Sequence, residues 1–120
     1  MAIIENKRGD KMLTNAMKDE LIKGLLNIFA DDIKAIILYG SVARNESTSE
    51  SDIDIAIIMQ HDMDDIKREK FIRWSADMDL RYDRVFSIID IQEKNMQKLG
   101  RILPFYQNVQ KEGIVLWKAA

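Results

Sequence analysis

The chain has 120 residues, a formal net charge of −2, 47% hydrophobic and 32% charged residues, and no cysteine. This balance excludes a disordered segment, a disulfide-stapled module and thiol chemistry, and without a basic excess direct nucleic-acid binding is not expected. Positions 1–12 carry Glu5, Lys7, Arg8 and Asp10 without an apolar signal core, and no apolar run approaches the ~20 residues of a membrane span, so one domain over 1–120, cytoplasmic and free of the membrane, is expected.

In chain order, Leu13, Met17, Leu21, Leu25 and Phe29 repeat every fourth residue and predict a helix over 13–29. The short branched run at 35–39, closed by Gly40, predicts a buried strand. Positions 42–51 are largely polar and predict a helical turn and a solvated loop. A second strand is predicted at 52–59, from Asp52 to Met59. Asp62 and Asp64 suit the start of a helix running to about Leu80, its apolar face built from Ile66, Phe71, Trp74 and Met78. A third strand at 85–91, a short helix at 92–99, a turn around Pro104 and a last strand at 114–117 complete the chain. This alternation predicts an α/β (α+β) fold, a small sheet covered by helices.

The chemistry is concentrated in Leu38-Tyr39-Gly40-Ser41 and, ten residues on, Asp52-Ile53-Asp54. Residues two apart in a strand share a face, so Asp52 and Asp54 project together. Two adjacent carboxylates repel, and a bound cation relieves that repulsion. Oxygen donors without His or Cys suit Mg2+ or Mn2+. Gly40 lets the backbone approach a phosphate closely, and a helical turn after it would aim amides at an anion. Carboxylates beside a phosphate cradle are the equipment of phosphoryl or nucleotidyl transfer. An Asp-x-Asp alone is usually solvated, but here it interrupts an apolar strand, and that cost asks for a partner. Neither an EF-hand nor a P-loop fits: Ile55-Ala56 stands where the former needs a ligand and glycine, and no Gly-Lys-Ser/Thr follows the turn.

Gly40-Ser41-Val42-Ala43-Arg44, followed by Ser51-Asp52-Ile53-Asp54-Ile55, resembles the signature of the polymerase-beta-type nucleotidyltransferases, and more narrowly the antitoxin members of the minimal nucleotidyltransferase (MNT) family. The resemblance implies that family's fold, a small mixed sheet covered by helices. It implies that Gly40 and Ser41 hold triphosphate oxygens, that Asp52 and Asp54 bind catalytic Mg2+ or Mn2+, and that Arg44 steadies the phosphates or the helix cap. It also implies ATP as donor, and a HEPN-type toxin, an RNase, as partner and acceptor through a tyrosine.

The resemblance further implies a third carboxylate on a neighbouring strand. Asp79, Asp83 and Asp90 are the candidates. The long helix between strands two and three suggests a parallel crossover. Asp52, Asp54 and Asp83 then lie at the same end of the sheet, whereas Asp90 is roughly 23 Å along an extended strand at ~3.3 Å per residue, too far for metals ~3.5–4 Å apart. Asp79 belongs to the helix end. Asp83 is therefore the expected third ligand, with the adjacent Arg84 a possible competitor for it. His61 reads as a surface or capping residue, Lys67, Arg68, Lys70 and Arg73 as a solvated basic face, Trp74 and Trp117 as anchors, and Phe105 and Tyr106 as packing of the C-terminal turn. The competing readings are a non-catalytic toxin-binding module and transfer to a small molecule; the latter normally needs an acceptor domain for which this length leaves no room.

Overall fold

The computed structural model describes residues 13–46, 48 and 51–120; the expectation for positions 1–12 lies outside them. Helix α1 (Asn15–Phe29) starts at Thr14, whose Oγ1 accepts the Met17 N–H at 3.2 Å. Its four-residue ladder of Met17, Leu21, Leu25 and Phe29 is buried as predicted. Strand β1 (Ile33–Tyr39) leads into the single turn α2 (Gly40–Ala43) and then strand β2 (Ile53–Met59). Helix α3 (Asp65–Tyr82), strand β3 (Phe86–Gln92), helix α4 (Glu93–Leu99), helix α5 (Pro104–Glu112) and strand β4 (Ile114–Lys118) follow. No helix among the described residues is long and apolar enough to cross a membrane.

The sheet has the order β3-β2-β1-β4. β1 is antiparallel to β2 and β4, whereas β2 and β3 run parallel through the α3 crossover. The sheet is thus mixed, as expected. Its strands alternate between two apolar layers. Ile36, Leu38, Ile53, Ile55, Ile57, Met59 and Phe86 pack with α1 and with Met78 of α3. Ala56, Ile58 and Ile91 pack with Val109 on the other side, joined by Ala35, Ile37, Tyr39, Ile89, Met96 and Tyr106. The second layer carries α4 and α5, and Asp54 shares its face by the two-residue period.

Two expectations about helices change. The turn around Pro104 is a nine-residue helix with the proline in its first turn, where a missing N–H costs nothing. On α3, Asp64 is the N-cap, its Oδ1 accepting the Lys67 N–H at 2.8 Å, while Asp62 accepts from the Gln92 side chain. Ile66 is 70% exposed rather than part of the packed face. The stripe of Phe71, Trp74, Met78 and Tyr82 lies against the core, and Ile66 stands roughly 120° from its centre at 100° per residue. α3 comes close to α1 because position 24 has no Cβ; one there would overlap the Trp74 indole.

Asp32, in the turn before β1, ties the ends of three elements together. Its carboxylate takes His61 Nδ1 at 2.9 Å and Lys67 Nζ at 3.2 Å, and its carbonyl takes the Gln60 N–H at 2.8 Å. The His61 hydrogen bond, with Lys67 behind it, holds the Asp32 carboxyl below its ordinary value of 3.8 against the opposing effect of burial. The folded state therefore favours the charged form. That contribution is complete above the ordinary value and is lost as pH falls through the lowered one. Asp32→Asn should cost on the order of 1 kcal/mol at pH 7, with the gap to wild type narrowing towards pH 3. Thermal melts at both pH values check this; an equal gap would remove the ionic account.

Candidate active site

The end of β1 meets the start of β2. Tyr39 is the register partner of Asp54. The chain then turns at Gly40 with φ at +75°, a left-handed conformation that favours glycine. A Cβ at this position would overlap the Asp54 carboxylate. The backbone of the Gly40-Ser41 turn thus lies directly against one of the two acidic side chains. Buried Val42 pins the turn to the core, and the Arg44 and Glu46 N–H groups return to the Gly40 and Ser41 carbonyls at 3.1 and 2.9 Å. Tyr39 supplies no side-chain cap, so the amides that open the turn have no helical or capping partner.

Asp52 is exposed and Asp54 half-buried. Burial first, and the Asp52 charge second, push the Asp54 carboxyl above its ordinary value, with Arg44 partly offsetting them. The repulsion anticipated for the pair is therefore present. Backbone contacts fix the position of Asp52: the Ile53 N–H reaches the Val85 carbonyl at 2.8 Å, and the Arg84 guanidinium donates to the Ser51 carbonyl at 2.7 Å. Arg84 thus grips the segment leading into the aspartates.

The structure does not bring Asp83 together with them. Among the described residues no three His, Cys, Asp or Glu side chains gather where they could hold one metal ion. Asp83 is the left-handed C-cap of α3, at φ 52°, and is exposed. Asp79, inside the last helical turns, accepts the Phe86 N–H through Oδ1 at 2.9 Å and is a capping residue. Asp90 pairs with Ile57, on the opposite face from Asp54. The residue beside Asp54 on β3 is Ser87. It presents a hydroxyl, not a carboxylate, to the same face, and the sequence reading passed over it.

Two carboxylates fit a hard divalent cation. Mg2+ commonly takes one or two protein carboxylates and completes its shell with water and substrate phosphates. Arg44, expected to steady the phosphates or the helix cap, is the C-cap residue of the turn and donates to Glu46 at 2.9 Å and to Glu112 of α5 at 3.0 Å. These two acids raise its pKa. It therefore clamps the turn to α5 while remaining close enough for its charge to act on Asp54. Trp74 and Trp117 pack against the core as the sequence suggested, and His61 stays at the surface beside Asp32. Lys67, expected on a solvated face, instead pairs with Asp32, while Arg68, Lys70 and Arg73 are exposed.

The family profile described as "Polymerase beta, Nucleotidyltransferase" matches residues 20–119. The chain belongs to this nucleotidyltransferase family. A relative from Methanocaldococcus jannaschii, named "Putative protein adenylyltransferase MJ0604", is 35% identical over 99 residues, covering 82% of this chain and 92% of the relative. A second protein of that organism with the same functional name is 34% identical over 71 residues, 58% of this chain and 71% of its own. Among solved structures, a toxin–antitoxin crystallised with AMP-PNP aligns with a TM-score of 0.59 at 24% identity, over 85% of this chain and 73% of the other. An MNT antitoxin in complex with the tri-AMPylated HEPN toxin of Shewanella oneidensis aligns with a TM-score of 0.54 at 22% identity, over 85% and 70%. At these identities the structural likeness speaks for the fold: this nucleotidyltransferase shares the architecture of MNT antitoxins.

Proposed function

We propose that this nucleotidyltransferase moves AMP from ATP to a hydroxyl of a protein partner, a tyrosine of a HEPN-type toxin, and so acts as an antitoxin. The observation that carries the reading is the contact between the Gly40 turn and the Asp54 carboxylate. It joins a phosphate cradle to a metal ligand in a single small site. The protein-adenylyltransferase name of the archaeal relative and the AMPylated toxin held by a structural neighbour support the direction of transfer.

In this mechanism the amides at Gly40 and Ser41 hold the triphosphate oxygens, and Asp52 and Asp54 would hold Mg2+ or Mn2+, which would offset the repulsion between carboxylates and triphosphate and supply charge stabilisation to the entering and leaving oxygens. The acceptor oxygen attacks the α-phosphorus, its bond to phosphorus forms as the bond to pyrophosphate breaks, and the hydroxyl proton passes to solvent water. Arg44, held by Glu46 and Glu112, keeps the turn in place. Such chemistry runs in the cytoplasm, where ATP is available. The partner brings the acceptor hydroxyl and closes the open side of the site. AMP on the toxin adds negative charge, which opposes RNA binding.

Intact-mass measurement of a HEPN partner incubated with this chain, ATP and Mg2+ should show addition of AMP, and EDTA should abolish it. Titration calorimetry should show ATP affinity falling when EDTA is present. Equal affinity in both conditions would remove the metal from the mechanism. Only two carboxylates gather among the described residues, which favours a toxin-binding module as the second reading. A partner that is inhibited but never gains mass would decide for it.

A further inference from the structure

Phe105 is the one aromatic among the exposed large hydrophobic residues of the described chain, at 40% exposure. It sits at the start of α5. Its ring meets the Tyr39 ring edge-on, with centroids 5.8 Å apart at 85°. Tyr39 immediately precedes Gly40 and is the register partner of Asp54. Ile102 and Leu103, just before α5, are exposed as well. An open apolar lip with an aromatic ring thus stands one side chain away from the carboxylate face. Tyr106 backs Phe105, with centroids 5.5 Å apart, and Arg44–Glu112 fastens α5 to the phosphate turn. The ring is therefore held at a set position relative to the Gly40 amides.

We infer that Phe105, steadied by Tyr39, is the stacking platform for the base of the donor nucleotide. The inference rests on the proposed triphosphate site at Gly40-Ser41 and Asp52/Asp54. A nucleotide whose phosphates occupy that turn has its base only a sugar's length away. Ile102, Leu103 and Phe105 present exposed apolar surface there, and stacking on an aromatic face is tolerant of base identity. The site should accept ATP and GTP with similar affinity.

The test compares ATP, GTP and inorganic tripolyphosphate, each with Mg2+, on wild type, Phe105→Leu and Phe105→Trp by titration calorimetry. Phe105→Leu keeps apolar volume and should melt close to wild type. It should bind both nucleotides about tenfold more weakly and tripolyphosphate unchanged. Phe105→Trp should retain nucleotide affinity, and ATP but not tripolyphosphate should quench the new fluorescence. Equal losses for ATP and tripolyphosphate in Phe105→Leu would overturn the inference and mark Phe105 as packing alone. Unchanged ATP affinity with lost transfer to a protein acceptor would also overturn it and assign the lip to the acceptor. Tripolyphosphate that fails to bind wild type would instead sink the phosphate site and the base platform with it.

Discussion

Replacing Asp52 and Asp54 together with asparagine should abolish nucleotidyl transfer, lowering it by at least about a thousandfold, while leaving the fold intact. The two amides keep the volume of the side chains and remove both charges. Burial and Asp52 already push the Asp54 carboxyl above its ordinary value, so at neutral pH the folded chain bears a charge that the unfolded chain carries more easily. A folded-state acid with a raised value destabilises the fold above that value, and its neutralisation should return about 1 kcal/mol. Mg2+ with ATP should raise the melting temperature of wild type through preferential binding to the folded state, and should do so far less for the double variant. A folded double variant that still transfers AMP would falsify the catalytic assignment.

Gly40→Ala should be nearly as damaging by another route. Alanine at φ +75° carries about 1–3 kcal/mol of backbone strain, and its methyl group occupies space held by the Asp54 carboxylate. Either the turn or the carboxylate must move. A displacement of about 1 Å at a reacting centre costs on the order of a hundredfold in rate. The expected result is a lower melting temperature together with a transfer rate down by at least that factor. The clash has its own signature: in an Asp54→Ala background, Gly40→Ala should cost less stability than in wild type, because the carboxylate is gone and only the strain remains. Strictly additive costs would show that the two residues do not meet.

The elements that place the site were readable because their signals are local. The four-residue ladder of α1, the run ending at Gly40 and the apolar run from Ile53 to Met59 need no distant partner, and each stands where it was expected, although Asp52 itself lies one residue before β2. The parallel relation of β2 and β3 also followed from the length of the crossover. The register between those strands did not. It depends on how α3 ends: Asp83 turns left-handed, and the Asp79 carbonyl and carboxylate take the N–H groups of Arg84 and Phe86. These bonds use up the residues that would otherwise begin a strand. Ser87, not an acid, then arrives beside Asp54. Arg44 was hidden for a similar reason, since Glu112 lies far along the chain and inside a helix that the proline had suggested was only a turn.

The place of β4 has a kinetic consequence. β1 carries Tyr39 and leads into Gly40, yet one of its two neighbours, β4, comes from a distant part of the sequence, with Ile36 opposite Trp117. Closing so long a loop costs chain entropy before any contact repays it, and pairings of this kind slow folding. Until β4 docks, β1 presents an open apolar edge of the type that recruits other chains. During synthesis β1 is made well before β4, and the interval between the two events is when a newly made molecule is most exposed to self-association.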